Sequence, residues 1–243
     1  MRQEGRSPRR VLVLADQPMM VELIGLTLNH GAFVTRDVPN VDDANALVAE
    51  WRPHVAVIDM DLGAPAVLRL LKPGSAGGPK IPILALTRRG DLKRKLEAFD
   101  HGVDDVVTVP FSPEELLARV VVITRRAYGA GVGPVSTIRL GDIEIDILNR
   151  QVRAGGSTLH LTGIDQSLLY VLAANSGRVL SRDEILDAVW GPDFVAESNI
   201  VDRHIRVLRA KLQNDWRRPR YIATVPGRGY RFIPTAEPIE SPV

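Results

Sequence analysis

Short apolar runs alternate with stretches of helical periodicity through the first half of the chain, and this alternation restricts the fold more than any other feature. The runs are short enough for strands and apolar enough to be covered on both faces, as strands of a parallel sheet are. We therefore predict an α/β doubly wound, five-stranded parallel sheet whose ligand crevice lies at the carboxyl ends of the strands. The predicted strands are residues 11–14, 33–35, 55–58, 81–86 and 106–109.

The second half has a different pattern, and residues 128–136 separate it from the first. This segment (YGAGVGPVS) is rich in glycine and proline and carries no charge, which is typical of a connector. Short alternating segments then predict a small antiparallel sheet, followed by three helices and a terminal hairpin, the elements of an α+β winged helix-turn-helix. The predicted parts are a tail (1–10), a first domain (11–127), a linker (128–136), a winged-helix domain (137–235) and a tail (236–243).

Composition excludes several classes of protein. The hydrophobic fraction of 45% is sufficient for real cores, and the absence of cysteine excludes disulfides, thiolate metal sites and thiol catalysis. No apolar run approaches the roughly 20 residues that span a bilayer, and the basic start lacks the apolar segment of a signal peptide. We expect a cytoplasmic, prokaryotic protein with no membrane partner.

One predicted helix, residues 199–212, has two different faces. Its apolar residues recur at spacings of four, three and four and form one stripe, made of Val201, Ile205, Leu208 and Leu212. Asn199, Arg203 and Arg206 fall on the opposite side. In a DNA major groove, arginine pairs with guanine and asparagine with adenine, so this arrangement indicates a recognition helix. The alternative is an ordinary solvated amphipathic helix.

Charge is distributed unevenly along the second half. Residues 199–231 contain nine Arg or Lys and two Asp, a net charge of +7, whereas residues 136–198 contain five basic and nine acidic residues, a net charge of −4. Positive charge confined to the recognition helix and hairpin favours a polyanionic partner. A solubilising basic face is the alternative.

The second half resembles the winged-helix DNA-binding domain of OmpR/PhoB-type response regulators. The resemblance depends on landmarks that occur in order: GRVLSR (177–182), AVWG (188–191), VDRHIR (201–206), LRAKL (208–212) and GRGYRF (227–232). It implies a transcription regulator whose third helix enters the major groove while the hairpin, or wing, reaches a minor groove. The expected DNA-binding residues are Asn199, Ile200, Arg203, His204, Arg206, Arg209, Lys211, Thr224, Arg228 and Tyr230.

Physical chemistry divides these residues by role. Asn199, Arg203 and Arg206 are the candidates for reading base edges, whereas Arg209 and Lys211, together with Trp190, are expected to hold the DNA backbone or support the fold. His204 lies beside the apolar stripe, and both packing and phosphate contact remain open for it. Arg228 is expected to enter a narrow minor groove. The wing has Pro226 where the family often has arginine, so base preference does not transfer.

The first half resembles the receiver domain of the same family, in which an aspartate accepts a phosphoryl group. That chemistry needs a metal ion and a cation near the acceptor, because the transition state spreads negative charge. Asp59 matches the acceptor, Thr87 the hydroxyl residue and Asp16 one member of an acidic pair. Ala15 replaces the other acid, Val109 replaces the lysine, Val106 replaces the aromatic switch residue, and residues 62–65 (LGAP) lack the usual loop pattern.

These departures predict an atypical receiver. Mg²⁺ would be held weakly by Asp16 and Asp59, with Asp61 as a candidate substitute ligand, and no other cofactor is expected. We expect a regulator that works through dimerisation, independently of phosphorylation at Asp59, and that is not an enzyme. The alternative is a phosphorylation-dependent two-component regulator that accepts phosphate on Asp59. A scaffold that does not bind DNA is a further alternative, disfavoured by the +7 charge of residues 199–231.

The resemblance also implies a dimer face, formed in the family by the fourth helix, fifth strand and fifth helix of the receiver. Charged positions that match it are Lys95, Asp104, Asp105, Glu115 and Arg119, which would form ion pairs across subunits. A dimer would present two recognition helices about one DNA turn apart, roughly 10 to 10.5 base pairs. The expected partners are double-stranded DNA, a second copy and RNA polymerase, and the involvement of a histidine kinase is left open.

Overall fold

A computed structural model describes residues 7–62, 81–129, 137–195, 199–212 and 217–233. The chain divides into two compact units, Met1–Ser136 and Thr137–Val243. The predicted linker lies outside the described residues from 130 onward, as do residues 1–6 and the whole of the 236–243 tail. Within the described ranges, no helix is both long and apolar enough to cross a membrane.

The first unit is a parallel sheet with the strand order β2-β1-β3-β4-β5. The strands are β1 (Arg9–Leu14), β2 (Phe33–Val38), β3 (Val55–Asp59), β4 (Ile83–Arg88) and β5 (Asp105–Val109). The helices are α1 (Pro18–Leu28), α2 (Val41–Trp51), α3 (Leu92–Asp100) and α4 (Pro113–Tyr128), with a 3₁₀ turn at Met60–Leu62. The predicted doubly wound, five-stranded fold is confirmed.

Burial on both sheet faces explains why most of β1 and β3 is continuously apolar. All five residues of β3 are buried, and so are the last four of β1. On one face Leu12 and Ile58 pack with Ala44 of α2 and Ala98 of α3. α1 and α4 contact each other elsewhere in the unit. Helices therefore cover a sheet that has little polar surface of its own.

Several boundaries differ from the sequence-based expectation, and β4 covers Ile83–Arg88 where residues 81–86 were expected. Arg9 and Arg10, assigned to the tail, are the first residues of β1 and pair with Phe33 and Val34 of β2. β2 continues to Val38, beyond the predicted end at residue 35, although Arg36 and Asp37 are polar. Charged residues suit β2 because it is an edge strand with a solvent-exposed side.

The second unit has two small antiparallel sheets and three helices. β6 (Ile138–Leu140), β7 (Ile143–Asp146), β8 (Gln151–Ala154) and β9 (Ser157–Leu159) form one sheet in sequence order. The helices are α5 (Gly163–Ala174), α6 (Arg182–Trp190) and α7 (Ile200–Lys211). The second sheet contains β10 (Val179–Leu180), β11 (Ile222–Val225) and β12 (Gly229–Phe232), in the order β10-β12-β11. The predicted winged helix-turn-helix is confirmed.

The helix starts of this unit follow from local sequence. Thr162 with Asp165 caps α5, and Ser181 with Glu184 caps α6, each pair forming a reciprocal capping box. Asn199 precedes α7 without making a side-chain capping bond. The amide of Asn199 is therefore not consumed by its own helix.

β10 was not predicted. Its close approach to β12 requires glycine at position 229. Gly229 has φ +139, and a Cβ atom built there would lie 2.0 Å from the carbonyl oxygen of Leu180. No side chain fits at that distance, so this close approach of two strands requires glycine.

Candidate nucleic-acid interface and acceptor pocket

α7 has the two faces that its sequence predicts. The apolar stripe is buried, with exposures of 5% for Val201, 1% for Ile205, 0% for Leu208 and 4% for Leu212. Asn199, Arg203 and Arg206 are exposed. Within the described part of the chain, neither Arg203 nor Arg206 has a carboxylate at ion-pair distance. Both guanidinium groups are thus presented outward from a helix that is anchored by its other face.

Arg209, on the same helix, is used inside the domain. Its Nη2 atom donates to the carbonyl oxygen of Ile222 at 3.0 Å and to Thr224 Oγ1 at 2.8 Å. Its guanidinium lies 5.5 Å from the centroid of the Tyr230 ring. Burial lowers the pKa of Arg209. Arg209 and Thr224, both expected at DNA, therefore join α7 to β11.

Lys211 has a similar internal role at the end of α7. Its Nζ atom contacts Asp165 Oδ2, on a carboxyl group whose side chain is only 2% exposed. Burial acts to raise the pKa of Asp165, but the bond from Lys211 and those from Thr162 outweigh it, so the pKa is lowered. This ion pair joins α7 to the start of α5, which is the fold-supporting role, one of the two roles expected of Lys211.

Tyr230 is also directed inward, which differs from the DNA contact expected of it. The residue is 5% exposed, and its Oη atom donates to Asp202 Oδ1 at 2.5 Å. Arg182 Nε donates to the same oxygen at 2.8 Å. Burial raises the pKa of Tyr230, and the bond to Asp202 raises it further. Sequence reasoning missed both residues, although GRVLSR contains Arg182 and VDRHIR contains Asp202.

His204 and Ile200 complete the account of the helix. The His204 ring lies 5.4 Å from the Trp190 ring, which in turn stacks on Phe194 at 6.2 Å. The packed alternative left open for His204 thus has a specific partner. Ile200 is partly exposed beside Asn199.

The wing presents a further cation among the residues predicted to bind DNA. Arg228 is exposed in the turn between β11 and β12, and its backbone N–H donates to the Val225 carbonyl oxygen at 3.0 Å. Its guanidinium group has no partner among the described residues. We define the outward set as Asn199, Arg203, Arg206 and Arg228, the predicted DNA-binding polar side chains whose polar atoms remain exposed.

The first unit places the predicted acceptor residues at neighbouring strand ends. Asp59 ends β3, is 8% exposed and accepts a bond from the Asp61 N–H at 2.9 Å. Burial raises the pKa of Asp59, and the charges of Asp61 and Asp16 raise it further. Leu86 pairs with Asp59 across β3 and β4, so Thr87 follows by one residue. The Thr87 hydroxyl is buried without a hydrogen-bond partner among the described residues.

The same pocket contains a cation that sequence reasoning missed. Arg88 Nε lies 2.7 Å from Asp61 Oδ2. Ala15 is buried and offers no ligand atom, and Val109, at the end of β5, has no donor in its side chain. The described residues contain no cluster of three metal-ligating side chains. Because Asp61 is paired with Arg88, the donors left are Asp16 and Asp59, which do not fit a tight Mg²⁺ site.

Four of the five predicted dimer-face charges already have partners within the chain. Arg119 Nη1 lies 2.8 Å from Asp105 Oδ2, and Arg119 Nη2 lies 2.9 Å from Glu115 Oε1. Asp104 accepts a bond from the Ile83 N–H at 2.9 Å. Lys95 has no ion pair among the described residues. Beside these charges, α3 exposes a stripe of three large apolar side chains, Leu92 (66%), Leu96 (55%) and Phe99 (52%).

Comparison with known proteins defines the class. A family model described as the response regulator receiver domain matches residues 11–121, and one described as the C-terminal domain of transcriptional regulatory proteins matches residues 156–232. The two matched domains correspond to the two units described above. Together they define a DNA-binding response regulator. The chain belongs to the OmpR/PhoB-type family of two-component response regulators.

Individual relatives extend over nearly the whole chain. The chain is 33% identical over 229 residues to the DNA-binding response regulator MtrA of Mycolicibacterium smegmatis, covering 93% of this chain and 97% of that protein. It is also 33% identical over 234 residues to the probable transcriptional regulatory protein TcrX of Mycobacterium tuberculosis, covering 96% and 99%. A solved structure, the response regulator DrrB of Thermotoga maritima, is 28% identical with a TM-score of 0.43, covering 93% and 100%.

Proposed function

We propose that this DNA-binding response regulator acts as a dimer and that its receiver works without phosphorylation at Asp59. The observation that carries the proposal is the Arg88–Asp61 ion pair of 2.7 Å beside an acceptor that lacks the family lysine. An acyl phosphate on Asp59 needs a cation to draw the surrounding residues toward it. Val109 cannot supply one, and Arg88 is already neutralised by Asp61.

Metal binding gives a second reason. Phosphoryl transfer to a carboxylate depends on Mg²⁺, which prefers several hard oxygen ligands in near-octahedral geometry. With Ala15 in place of an acid, Asp16 and Asp59 are the remaining carboxylates, and we infer that they bind the ion weakly. The receiver then serves to dimerise the protein, and the signal acts on dimerisation or on the concentration of the protein.

DNA recognition in the proposal depends on the outward set. Asn199, Arg203 and Arg206 read base edges in the major groove, because bidentate amide and guanidinium groups distinguish adenine and guanine there. Arg228 reaches the minor groove, where a narrow groove concentrates negative potential. Arg209, Lys211 and Tyr230 position the helix and the wing instead of touching DNA.

Dimerisation uses the face that contains α3, β5 and α4. The exposed stripe of Leu92, Leu96 and Phe99 provides apolar area that a second copy would cover. Asp105, Glu115 and Arg119, paired within each protomer, surround it with fixed charges, and Lys95 is available for a partner's carboxylate. A bound dimer would recruit RNA polymerase from the cytoplasm to the promoter.

A phosphorylation-dependent regulator is the second candidate, because of Thr87. Its buried hydroxyl has no partner among the described residues and lies one residue beyond the position paired with Asp59. A phosphoryl oxygen on Asp59 would satisfy that hydroxyl. On this alternative a histidine kinase supplies the phosphoryl group.

A footprint on promoter DNA separates the two candidates. Wild type and Asp59→Asn are compared at equal concentration, with Asp37→Asn, an exposed carboxylate on β2, as the matched control. Equal protection by all three proteins is the expected result. A large loss confined to Asp59→Asn, together with a mass increase of wild type after incubation with a small phosphodonor and Mg²⁺, would establish the second candidate instead.

A further inference from the structure

Five arginine residues gather at the edge of the first unit that lies opposite the acceptor pocket. All five strands are parallel, so their amino ends share one edge while Asp59 lies at the other. β1 begins at this edge with Arg9, β3 begins three residues after Arg52, and α4 ends there at Tyr128. We call these five residues the basic edge: Arg9, Arg10, Arg52, Arg125 and Arg126.

Specific contacts hold part of the basic edge together. The Arg9 guanidinium lies 4.7 Å from the centroid of the Tyr128 ring, and the His54 ring lies 5.9 Å from the same ring. Arg10 Nη2 donates to the carbonyl oxygen of Arg52 at 2.9 Å. Arg52 itself has a left-handed backbone, with φ +48, at the C-terminal end of α2. An aromatic face therefore positions Arg9 and a main-chain oxygen positions Arg10, and among the described residues no carboxylate takes part.

The absence of neutralising carboxylates distinguishes this edge from an ordinary charged surface. Among the described residues, no Asp or Glu lies within 4.0 Å of any of the five guanidinium groups. Arg52, Arg125 and Arg126 are exposed. Burial lowers the pKa of His54, and the charges of Arg10 and Arg9 lower it further, as expected where positive charge is uncompensated.

Helix stabilisation explains only some of these residues. Arg125 and Arg126 lie in the last turn of α4, where cations offset the helix dipole. Arg52 is the C-terminal cap of α2, and Arg10 donates to its carbonyl oxygen, so a helix end also explains part of their placement. Arg9 begins β1 and caps no helix. Like charges gathered at one edge repel each other, and an anionic partner would relieve that repulsion.

We propose that the basic edge binds the phosphodiester backbone of duplex DNA next to the site that α7 reads. The proposal rests on sequence-specific binding by the second unit. The chain leaves the first unit at Tyr128, within the edge, and the second unit begins at Thr137. The eight residues between them span at most about 30 Å when fully extended, so DNA bound by the second unit is held at high local concentration near the edge. Guanidinium groups match phosphate in geometry and charge.

The test removes three cations and measures DNA binding by the full chain. The variant is Arg52→Asn/Arg125→Gln/Arg126→Gln, in which asparagine tolerates the left-handed backbone of position 52. Arg89→Gln/Arg139→Gln/Arg153→Gln is the control, because it removes the same charge from exposed positions outside both surfaces. The DNA site is first selected by the full chain from a randomised pool. It is then placed in two duplexes, a short one of about one site length and a longer one with flanking DNA on both sides.

The salt dependence of binding gives the readout, since each lost phosphate contact reduces the slope of log K against log salt by about 0.9. On the long duplex we expect the slope of the variant to be reduced by the equivalent of about two phosphate contacts, and its affinity to fall at least about tenfold. On the short duplex, variant, control and wild type should be equal. Binding of the variant and the control to phosphatidylserine vesicles is measured in parallel. Equal slopes for variant and control on the long duplex would overturn the proposal, as would a loss of binding by the variant seen only on the vesicles. Absence of site-specific binding by wild type would instead refute sequence-specific recognition by the second unit.

Discussion

Tyr230 and Asp202 are joined by a hydrogen bond of 2.5 Å that connects the wing to the first turn of α7. Arg182 donates to the same carboxylate oxygen at 2.8 Å, and its guanidinium lies 5.2 Å from the Tyr230 ring centroid. Three separate elements, α6, α7 and β12, thus meet at one carboxylate. Their relative orientation sets where the outward set is presented.

Tyr230→Phe should weaken DNA binding without removing a DNA contact. Loss of the hydroxyl costs about 1 kcal/mol of unfolding free energy, because the carboxylate is partly solvated and keeps its bond from Arg182. The affinity for a selected site should fall several-fold as the wing loosens. Urea unfolding and a binding titration measure the two effects. Tyr128→Phe removes a phenol with no hydrogen bond among the described residues and should change neither.

Arg206→Ala and Lys211→Met should have opposite signatures. Loss of Arg206 should cost about 1 to 3 kcal/mol of discrimination between matched and mismatched sites, with stability unchanged. Loss of Lys211 leaves buried Asp165 unpaired and should cost roughly 2 to 3 kcal/mol of stability, with specificity unchanged. Competition binding and urea unfolding separate the outcomes. Lys93→Met, at a side chain that is 87% exposed, is the control; a specificity loss in Lys211→Met would contradict the internal role.

Gly229→Ala should disrupt the wing far more than Gly227→Ala. Both positions have positive φ, but a Cβ at Gly229 meets the Leu180 oxygen at 2.0 Å while one at Gly227 meets nothing within 4 Å. We expect Gly227→Ala to lower the unfolding free energy by about 1 kcal/mol, from backbone strain alone. Gly229→Ala should lower it by at least about 3 kcal/mol. Thermal unfolding of the two variants checks the difference. Equal costs would mean that the strands separate readily at this contact.

Asp59→Asn should stabilise the first unit at neutral pH. Because the pKa of Asp59 is raised in the folded state, the ionised carboxylate opposes folding, and this cost grows as pH rises through the folded pKa. Below the ordinary aspartate pKa of about 4 both states are protonated, and the advantage of the variant should disappear. Melting curves of wild type and Asp59→Asn from pH 4 to 8 measure this difference in stability. Asp37→Asn should show no such pH dependence.

Periodicity was sufficient to predict the larger elements. The strands of the first unit and the buried stripe of α7 could be located because their spacing is repeated over several residues. β10 escaped prediction because two residues cannot display a period. It exists only through its pairing with β12.

Side-chain partners were harder to predict than positions. Arg203 and Arg209 have the same chemistry and lie six residues apart, yet one is exposed and the other bonds to Ile222 and Thr224. The difference depends on where the hairpin packs, which no local pattern encodes. The same holds for Arg88, whose partner Asp61 is distant in sequence and close only across neighbouring strands.

The contact at Gly229 also bears on how this regulator could acquire new targets. Because position 229, where the turn enters β12, admits only glycine, side-chain variation in the turn is available at Pro226 and Arg228. Substitution of either residue would change the minor-groove preference while the fold stays intact.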